Sequence, residues 1–127
     1  MAPVSGLPMK KTVIVLLSLL LVGSLFGDAL ETARAEIDRQ SKLIKKGDVK
    51  GLKARLTERQ RARVTAAVLK KAKKELSGYT LDDLVESAEE GEYQGQKTIK
   101  IKMKNGRTLT TLMEINGQWY ADTIWFR

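Results

Sequence analysis

The sequence predicts an α+β fold in which N-terminal helices pack on a curved antiparallel sheet built from the C-terminal half. Three observations support this prediction. Up to Leu76, apolar residues recur every three or four positions, as on the buried face of a helix. From Lys97 onward they alternate with polar residues, as in a strand with one buried face. Two Asn-Gly dipeptides, at 105–106 and 116–117, strongly favour tight hairpins, so they predict a three-stranded meander.

Residues 9–26 have the order of a bacterial export signal: Met9, two lysines, and an uncharged run from residue 12 to residue 26. This run is shorter than the roughly 20 residues that a membrane-spanning helix needs. We therefore expect a true start at Met9, export to the periplasm or medium, and cleavage after Ala29. Cleavage after Ala35, or retention of segment 12–26 as a membrane anchor, are the alternatives.

The remaining residues, 30–127, are predicted to form a single domain. No proline follows Pro8, and no Ser/Gly-rich linker divides the segment. The chain has no cysteine, which excludes both disulfides and a lipoprotein anchor. Packing alone must therefore stabilise the domain.

Helical spacing and capping residues define the predicted helices. The first carries Leu30, Ala33, Ile37, Leu43 and Ile44 and ends at Gly47. Asp48 is expected to cap a short second helix that carries Val49, Leu52 and Leu56. Thr57–Gln60 has the pattern of a capping box that opens a long helix ending at Ser77-Gly78, with a buried stripe of Val64, Val68, Leu69, Ala72 and Leu76. Thr80–Asp83 predicts one further capped turn, which carries Leu81 and Leu84.

The meander runs from Lys97 to Phe126, and a fourth strand is expected earlier, around Val85–Glu90. Two-residue loops would pair Lys102 with Leu109, Ile99 with Leu112, and Met113 with Tyr120. One face would then collect Ile99, Ile101, Met103, Leu112, Trp119, Ala121 and Trp125. The other face, beside a row of lysines, would collect Leu109, Met113, Ile115, Tyr120, Ile124 and Phe126.

The second of these faces is too apolar for a sheet surface in contact with water. We therefore expect helices to cover one face, and a ligand, a partner or a second copy of the chain to cover the other. This makes the second set of six residues the predicted pocket or interface. A homodimer through this face is one of the expected arrangements.

Charge is distributed unevenly along the chain. Lys42–Lys74 contains thirteen basic residues and two acids, whereas residues 75–92 contain seven acids and no base. The basic residues point in many directions around the helices, and no aromatic residue is interleaved for stacking on bases. Nucleic acid is therefore a poor candidate partner, and an anionic lipid or a cell-wall polymer is a better one for the Lys42–Lys74 region.

The chain contains no histidine and no cysteine, which excludes imidazole bases, thiol nucleophiles and the common zinc sites. Carboxylate–tyrosine chemistry survives, with Asp122 and Tyr120 as weak catalytic candidates and Glu114 and Tyr93 as further ones. A structural role for Asp122, as a partner of Thr111 or of a lysine, is favoured. The acidic run 82–92 lacks the spacing of a calcium loop. We therefore expect no metal and no cofactor. The expected partner is a small ligand or an envelope protein.

Two segments resemble the nuclear transport factor 2-like superfamily. LIKKGDVKGLKARLTERQRARV (residues 43–64) resembles its helical entry, and Gly117-Gln118-Trp119-Tyr120-Ala121-Asp122 resembles the "Gly-x-Trp-x-x-Asp" strand that closes its small exported bacterial members. The resemblance implies a curved sheet wrapped around helices to form a cone with a pocket, often dimerising through the sheet. The superfamily includes ketosteroid isomerase and scytalone dehydratase beside many non-catalytic binders. The resemblance therefore implies a binding or envelope-associated module, with an isomerase- or dehydratase-type enzyme as the alternative.

The export signal makes a direct prediction about the mature N-terminus. Mass spectrometry of the exported protein should give a chain that begins at Leu30, because small residues precede that bond at the expected distance from the apolar run. A chain that begins at Glu36, or that keeps residues 12–26, would contradict it.

Overall fold

The computed structural model describes residues 28–126, which form helices followed by a four-stranded antiparallel sheet. The predicted α+β class is therefore confirmed. The predicted export segment and Met9 lie outside the described residues. Among residues 28–126, no helix combines the length and the apolar character needed to cross a membrane.

Helix α1 is described over residues 28–46, and α2 spans Val49–Lys53. The buried positions of α1 include Ala33, Ile37 and Ile44, which repeat at the predicted spacing. Gly47 ends α1 with a φ of +72°, a conformation that glycine adopts without a Cβ penalty. The Asp48 side chain accepts a hydrogen bond from the Gly51 N–H at 2.9 Å, so it caps α2 as predicted.

The long helix predicted from Thr57 is wrong. It divides into α3 (Glu58–Arg61) and α4 (Ala66–Leu76), and Thr65 caps α4. Thr57 makes no side-chain capping bond to α3, and its hydroxyl is turned toward Asp122, to which it donates. The Gln60 side chain likewise donates to a distant carbonyl rather than reaching back to Thr57. Tertiary partners have replaced the predicted capping box.

Helix α5 (Leu81–Leu84) has the predicted cap. Thr80 and Asp83 form a reciprocal capping box, in which each side chain accepts a bond from the other residue's backbone N–H. The hydrogen bond from the Thr80 backbone lowers the pKa of the Asp83 carboxyl. Leu84 and Val85 are buried immediately after this turn, so the cap fixes where the chain enters the sheet.

The sheet has the order β1-β2-β3-β4, with strands Ser87–Tyr93, Gln96–Lys102, Thr108–Ile115 and Gln118–Ala121. The first strand was predicted at Val85–Glu90 and lies two to three residues later, because Val85 belongs to the end of α5. A turn at Gln94-Gly95 joins β1 to β2.

The two Asn-Gly turns differ in geometry. Asn116 and Gly117 both have positive φ, as a type I′ turn requires, and the predicted pairing of Met113 with Tyr120 is confirmed. At the first turn only Gly106 has positive φ, and the Met103 N–H donates to the Arg107 carbonyl at 2.8 Å. This loop is longer than two residues.

A bulge compensates for the longer loop. Ile99 pairs with Leu112 as predicted, but the register shifts after Ile101, so Lys102 pairs with Thr108 and the predicted Lys102–Leu109 pair is wrong. Leu109 is the extra residue of β3.

The sheet has a core face and an outer face. The core face carries Ile99, Ile101, Leu112 and Ala121, all buried against the helices. The outer face carries the alternate residues, among them Lys100, Met113, Ile115 and Tyr120. This half of the face prediction agrees with the structure.

The other half needs correction. Phe126 is buried in the core, and Leu109 and Ile124 pack against the core. The bulge reorients Leu109, whereas Ile124 and Phe126 follow the end of β4 at Ala121, beyond which strand alternation no longer applies. These three residues therefore do not lie on the outer face.

A buried carboxylate joins the helices to the sheet. Glu36 of α1 is 2% exposed, and its oxygens accept bonds from Arg39 (2.8 Å), Gln40 (2.9 Å) and two nitrogens of Arg55. The hydrogen bond to Glu36 raises the pKa of the Arg55 guanidinium. A charge at this depth is tolerated because its lone pairs are occupied by donors, two of which are cationic.

Gln40 extends this network to the end of the described chain. Its amide nitrogen also donates to the Arg55 carbonyl (3.2 Å), and its oxygen accepts the indole N–H of Trp125 at 2.7 Å. The same Arg55 carbonyl accepts the Ala121 N–H at 3.0 Å. Helix α1, residue 55, β4 and the C-terminal tail are thus held by one set of hydrogen bonds.

Replacing Arg55 tests this network. Arg55→Met should lower the free energy of unfolding by about 3 kcal/mol, because it leaves the buried Glu36 carboxylate without its main cation. Arg63→Met, at an exposed arginine that forms no ion pair within the described residues, should change it by less than about 0.5 kcal/mol. Urea unfolding monitored by circular dichroism measures both values. Equal losses in the two variants would show that the Glu36–Arg55 pair is not a main support of the fold.

Candidate functional site

Residues 55–57 extend the sheet beyond β4. The Ala121 N–H donates to the Arg55 carbonyl, and the Thr57 N–H donates to the Ala121 carbonyl at 2.9 Å, which forms a short parallel bridge centred on Leu56 and Ala121. Helix α3 follows directly. The bridge therefore places α3 beside the edge of the sheet.

Asp122 fixes α3 at this position. Its carboxylate accepts bonds from the Thr57 hydroxyl (2.7 Å) and from two nitrogens of Arg59, one of them at 3.0 Å. Its carbonyl accepts the Gln60 amide at 3.0 Å, and its own N–H donates to Thr111 at 3.0 Å. Because α3 has no buried residue, these polar contacts supply much of its attachment to the sheet.

A groove of about 490 Å³ opens between α3 and the outer face of the sheet. Its lining residues come from α3 and its N-cap, from the β1–β2 hairpin, from β3, and from the residue after β4. They are Thr57, Glu58, Arg59, Tyr93, Gln94, Met113, Ile115 and Asp122.

The floor of this groove is apolar and its rims are polar. Met113 and Ile115 belong to the central strand β3 and form the floor. Tyr93 stands on one rim with 58% of its surface exposed. It is the more exposed of the two large hydrophobic residues that are exposed within residues 28–126. An apolar floor with an accessible aromatic ring is typical of a binding surface.

The charges on the α3 rim are partly neutralised. The Arg59 side chain is 70% exposed, but its bidentate contact with Asp122 engages its charge and raises the pKa of the guanidinium. Glu58 is exposed and forms no ion pair within the described residues. The lining therefore has one carboxylate more than it has cations.

The structure brings together only some of the predicted site residues. Met113, Ile115 and Asp122 line the groove. Tyr120 lies on the same face but is not among the lining residues, so the two weak catalytic candidates do not share this cavity. Leu109, Ile124 and Phe126 belong to the core side, as described above.

The sequence interpretation missed the α3 rim entirely. The sequence around Thr57, Glu58 and Arg59 indicates only a helix start, and no local signal indicates that Asp122 binds two of them across 63 and 65 residues. The sequence presents Tyr93 only as a catalytic candidate. Its exposure beside a hairpin depends on the register of β1, which begins later than the sequence predicts.

The charged regions have separate locations. The lysines of α4 at positions 70, 71, 73 and 74 are exposed, as a solvated helix surface requires. Of the acids after residue 75, Asp82 pairs with Arg34 of α1 at 2.6 Å. Within the described residues, no group of three or more acidic side chains has the geometry to hold a metal ion.

Comparisons with known proteins add no assignment, since no family model, curated protein or solved structure matches the chain.

Asp122→Asn tests the attachment of α3. The substitution removes the charge that Arg59 and Thr57 contact, so we expect a loss of about 2 kcal/mol in the free energy of unfolding. Hydrogen exchange should also accelerate at the Gln60, Arg63 and Val64 amides, whose bonds lie within and just after α3. Asp38→Asn, which breaks a surface pair with Lys42, is the control and should leave these amides unchanged. Unchanged exchange in Asp122→Asn would mean that other contacts hold α3.

Proposed function

We propose that this protein is an exported, non-catalytic binding module of the nuclear transport factor 2-like type, and that the groove beside α3 is its binding surface. The observation that carries the proposal is the composition of the groove. The groove has an apolar floor and an accessible tyrosine, and it lies between the sheet and α3. The contacts of Asp122 with Thr57 and Arg59 keep α3 in this position. Such a site offers a shaped surface to a ligand or an envelope protein.

The fold assignment has support from the closing motif. The segment Gly117–Asp122 supplies the turn, the strand β4, and Trp119 packed against the core. Asp122, the last residue of the motif, holds the entry helix α3. Helices that precede an open antiparallel sheet agree with the arrangement that the resemblance implies.

Binding is favoured over catalysis by the state of Asp122. Both of its oxygens accept hydrogen bonds from side chains of the fold, which leaves it engaged as a structural acceptor. Tyr120, its proposed catalytic partner, lies outside the groove lining. The isomerase or dehydratase alternative therefore loses the Asp122–Tyr120 pair on which it was based.

The packing favours cleavage after Ala29 over cleavage after Ala35. Ala29 and Ala33 are both buried in the core, and the later cut would remove both from α1. The earlier cut removes Ala29 and retains Ala33. The exposed lysines of α4 give the mature domain a separate basic surface, which we propose contacts anionic lipid or cell-wall polymer.

Site-specific cross-linking in cells that express the full chain tests the groove. A photo-reactive amino acid at Met113 should give a discrete adduct, because its side chain lies on the groove floor. The adduct should disappear when Ile115→Asp is added, because a carboxylate on the apolar floor opposes burial of a ligand. The same probe at Lys71 on α4 is the control and should not give this adduct. Adducts that are identical at both positions, or that survive Ile115→Asp, would contradict the proposal.

A further inference from the structure

We propose that the groove beside α3 binds a basic side chain, lysine or arginine, flanked by apolar residues in an extended segment of a partner protein. The inference rests on the proposed function and names the chemistry of the partner. It follows from three features of the lining: its apolar floor, its exposed aromatic ring and its unpaired carboxylate.

The apolar floor matches the stem of a long basic side chain. Lysine and arginine bury their methylene stems on apolar surface while the charged end stays near water. Met113 and Ile115 offer such a surface, and the groove is open along it, so the charged end need not be fully desolvated.

The two rims match the charged end. Tyr93 presents an exposed ring, which attracts a cation placed over its face. Glu58 on the opposite rim presents a carboxylate that forms no ion pair within residues 28–126. A cation seated between these two groups satisfies both.

The single cation of the lining does not oppose this arrangement. Arg59 is bound on two nitrogens to Asp122, so its charge is already compensated. Counting Glu58, Arg59 and Asp122 together leaves one negative charge, which disfavours an acidic ligand and favours a basic one. Lys100, on the outer face, lies opposite Glu89 in the pairing of β1 with β2 and is not part of the lining.

The same charges argue against a second copy in this groove through the sheet. A second copy packed groove against groove would bring its own Glu58, Arg59 and Asp122, with the same net negative charge, toward this lining. A partner with lysine or arginine supplies the opposite charge. We therefore assign the groove to a different protein.

Three matched fluorescent peptides test the assignment. In the first, lysine alternates with leucine, and in the other two glutamate or glutamine replaces lysine. Fluorescence anisotropy with the protein purified from cells expressing the full chain should show the lysine peptide binding at least tenfold more tightly than the glutamate peptide, with the glutamine peptide between them. The Lys70–Lys74 surface would favour the glutamate peptide, so the order of affinity distinguishes the two surfaces.

Substitutions then locate the binding. Glu58→Lys should weaken the lysine peptide about tenfold, because attraction is replaced by repulsion. Tyr93→Leu should weaken it two- to fivefold, because an apolar surface remains but the ring is lost. Glu75→Lys on α4 makes the same charge change outside this lining and should leave affinity within twofold. All three residues are exposed, so each variant is expected to fold, and unfolding curves check this.

The outcomes separate this inference from the proposed function. If all three peptides bind equally and Ile115→Asp abolishes that binding, the groove stands as a binding surface and the basic partner is wrong. If Ile115→Asp changes nothing, the groove is not the binding surface and both proposals fail. A dimer in sedimentation that dissociates in Glu58→Lys would assign the groove to a second copy and overturn the inference.

Discussion

The buried carboxylate of Glu36 is the constraint on which the arrangement of helices and sheet depends. A charge in the core is tolerated only if donors surround it, and its donors come from Arg39 and Gln40 on the same helix and from Arg55 beyond α2. Arg55 must therefore lie against α1. Because its carbonyl binds the backbone of Ala121, the edge of the sheet is drawn to the same place.

Asp122 is a second carboxylate whose donors tie a helix to this edge of the sheet, on its other side. Glu36 acts within the core, whereas Asp122 has a side chain that is 16% exposed and acts at the rim of a groove. Its contacts hold a four-residue helix that buries none of its own residues. These polar contacts keep α3 beside the sheet. Met113 and Ile115 remain accessible in the groove between the helix and the sheet. The accessible floor is a consequence of how the edge is closed.

Features that depend on neighbouring residues were predictable from the sequence. Gly47, Asp48, the Thr80–Asp83 box and the Asn116-Gly117 turn each act within four residues, and each lies where local chemistry predicts. The pairing of β3 with β4 follows from that turn. The periodic apolar stripe of α1 was equally readable, because helix geometry alone determines which side chains share a face.

Features that depend on distant partners were not predictable. Thr57 begins a pattern that would cap a helix in isolation, but its hydroxyl is oriented toward a carboxylate 65 positions away. The bulge at Leu109 depends on how the 103–107 loop closes, and the sequence Asn-Gly is compatible with both closures. Phe126 turns into the core because no strand continues after Ala121. The α3 rim of the candidate groove depends on such distant contacts. The floor residues were therefore predictable from the sequence, whereas the rim residues were not.

The distance along the chain between partners has a consequence for the order of folding. The β-hairpins close over a few residues, whereas the indole of Trp125 reaches Gln40 across 85 residues. Local hairpins close in about 1 to 10 μs, while contacts of large sequence separation come at a higher entropic cost. During synthesis, Glu36, Gln40 and Arg55 all emerge before β4, so the bonds around the Glu36 carboxylate can form within the helical half. The Gln40 side-chain oxygen and the Arg55 carbonyl receive their donors from Trp125 and Ala121 only later. The buried network is therefore completed only when residues 121–125 join it.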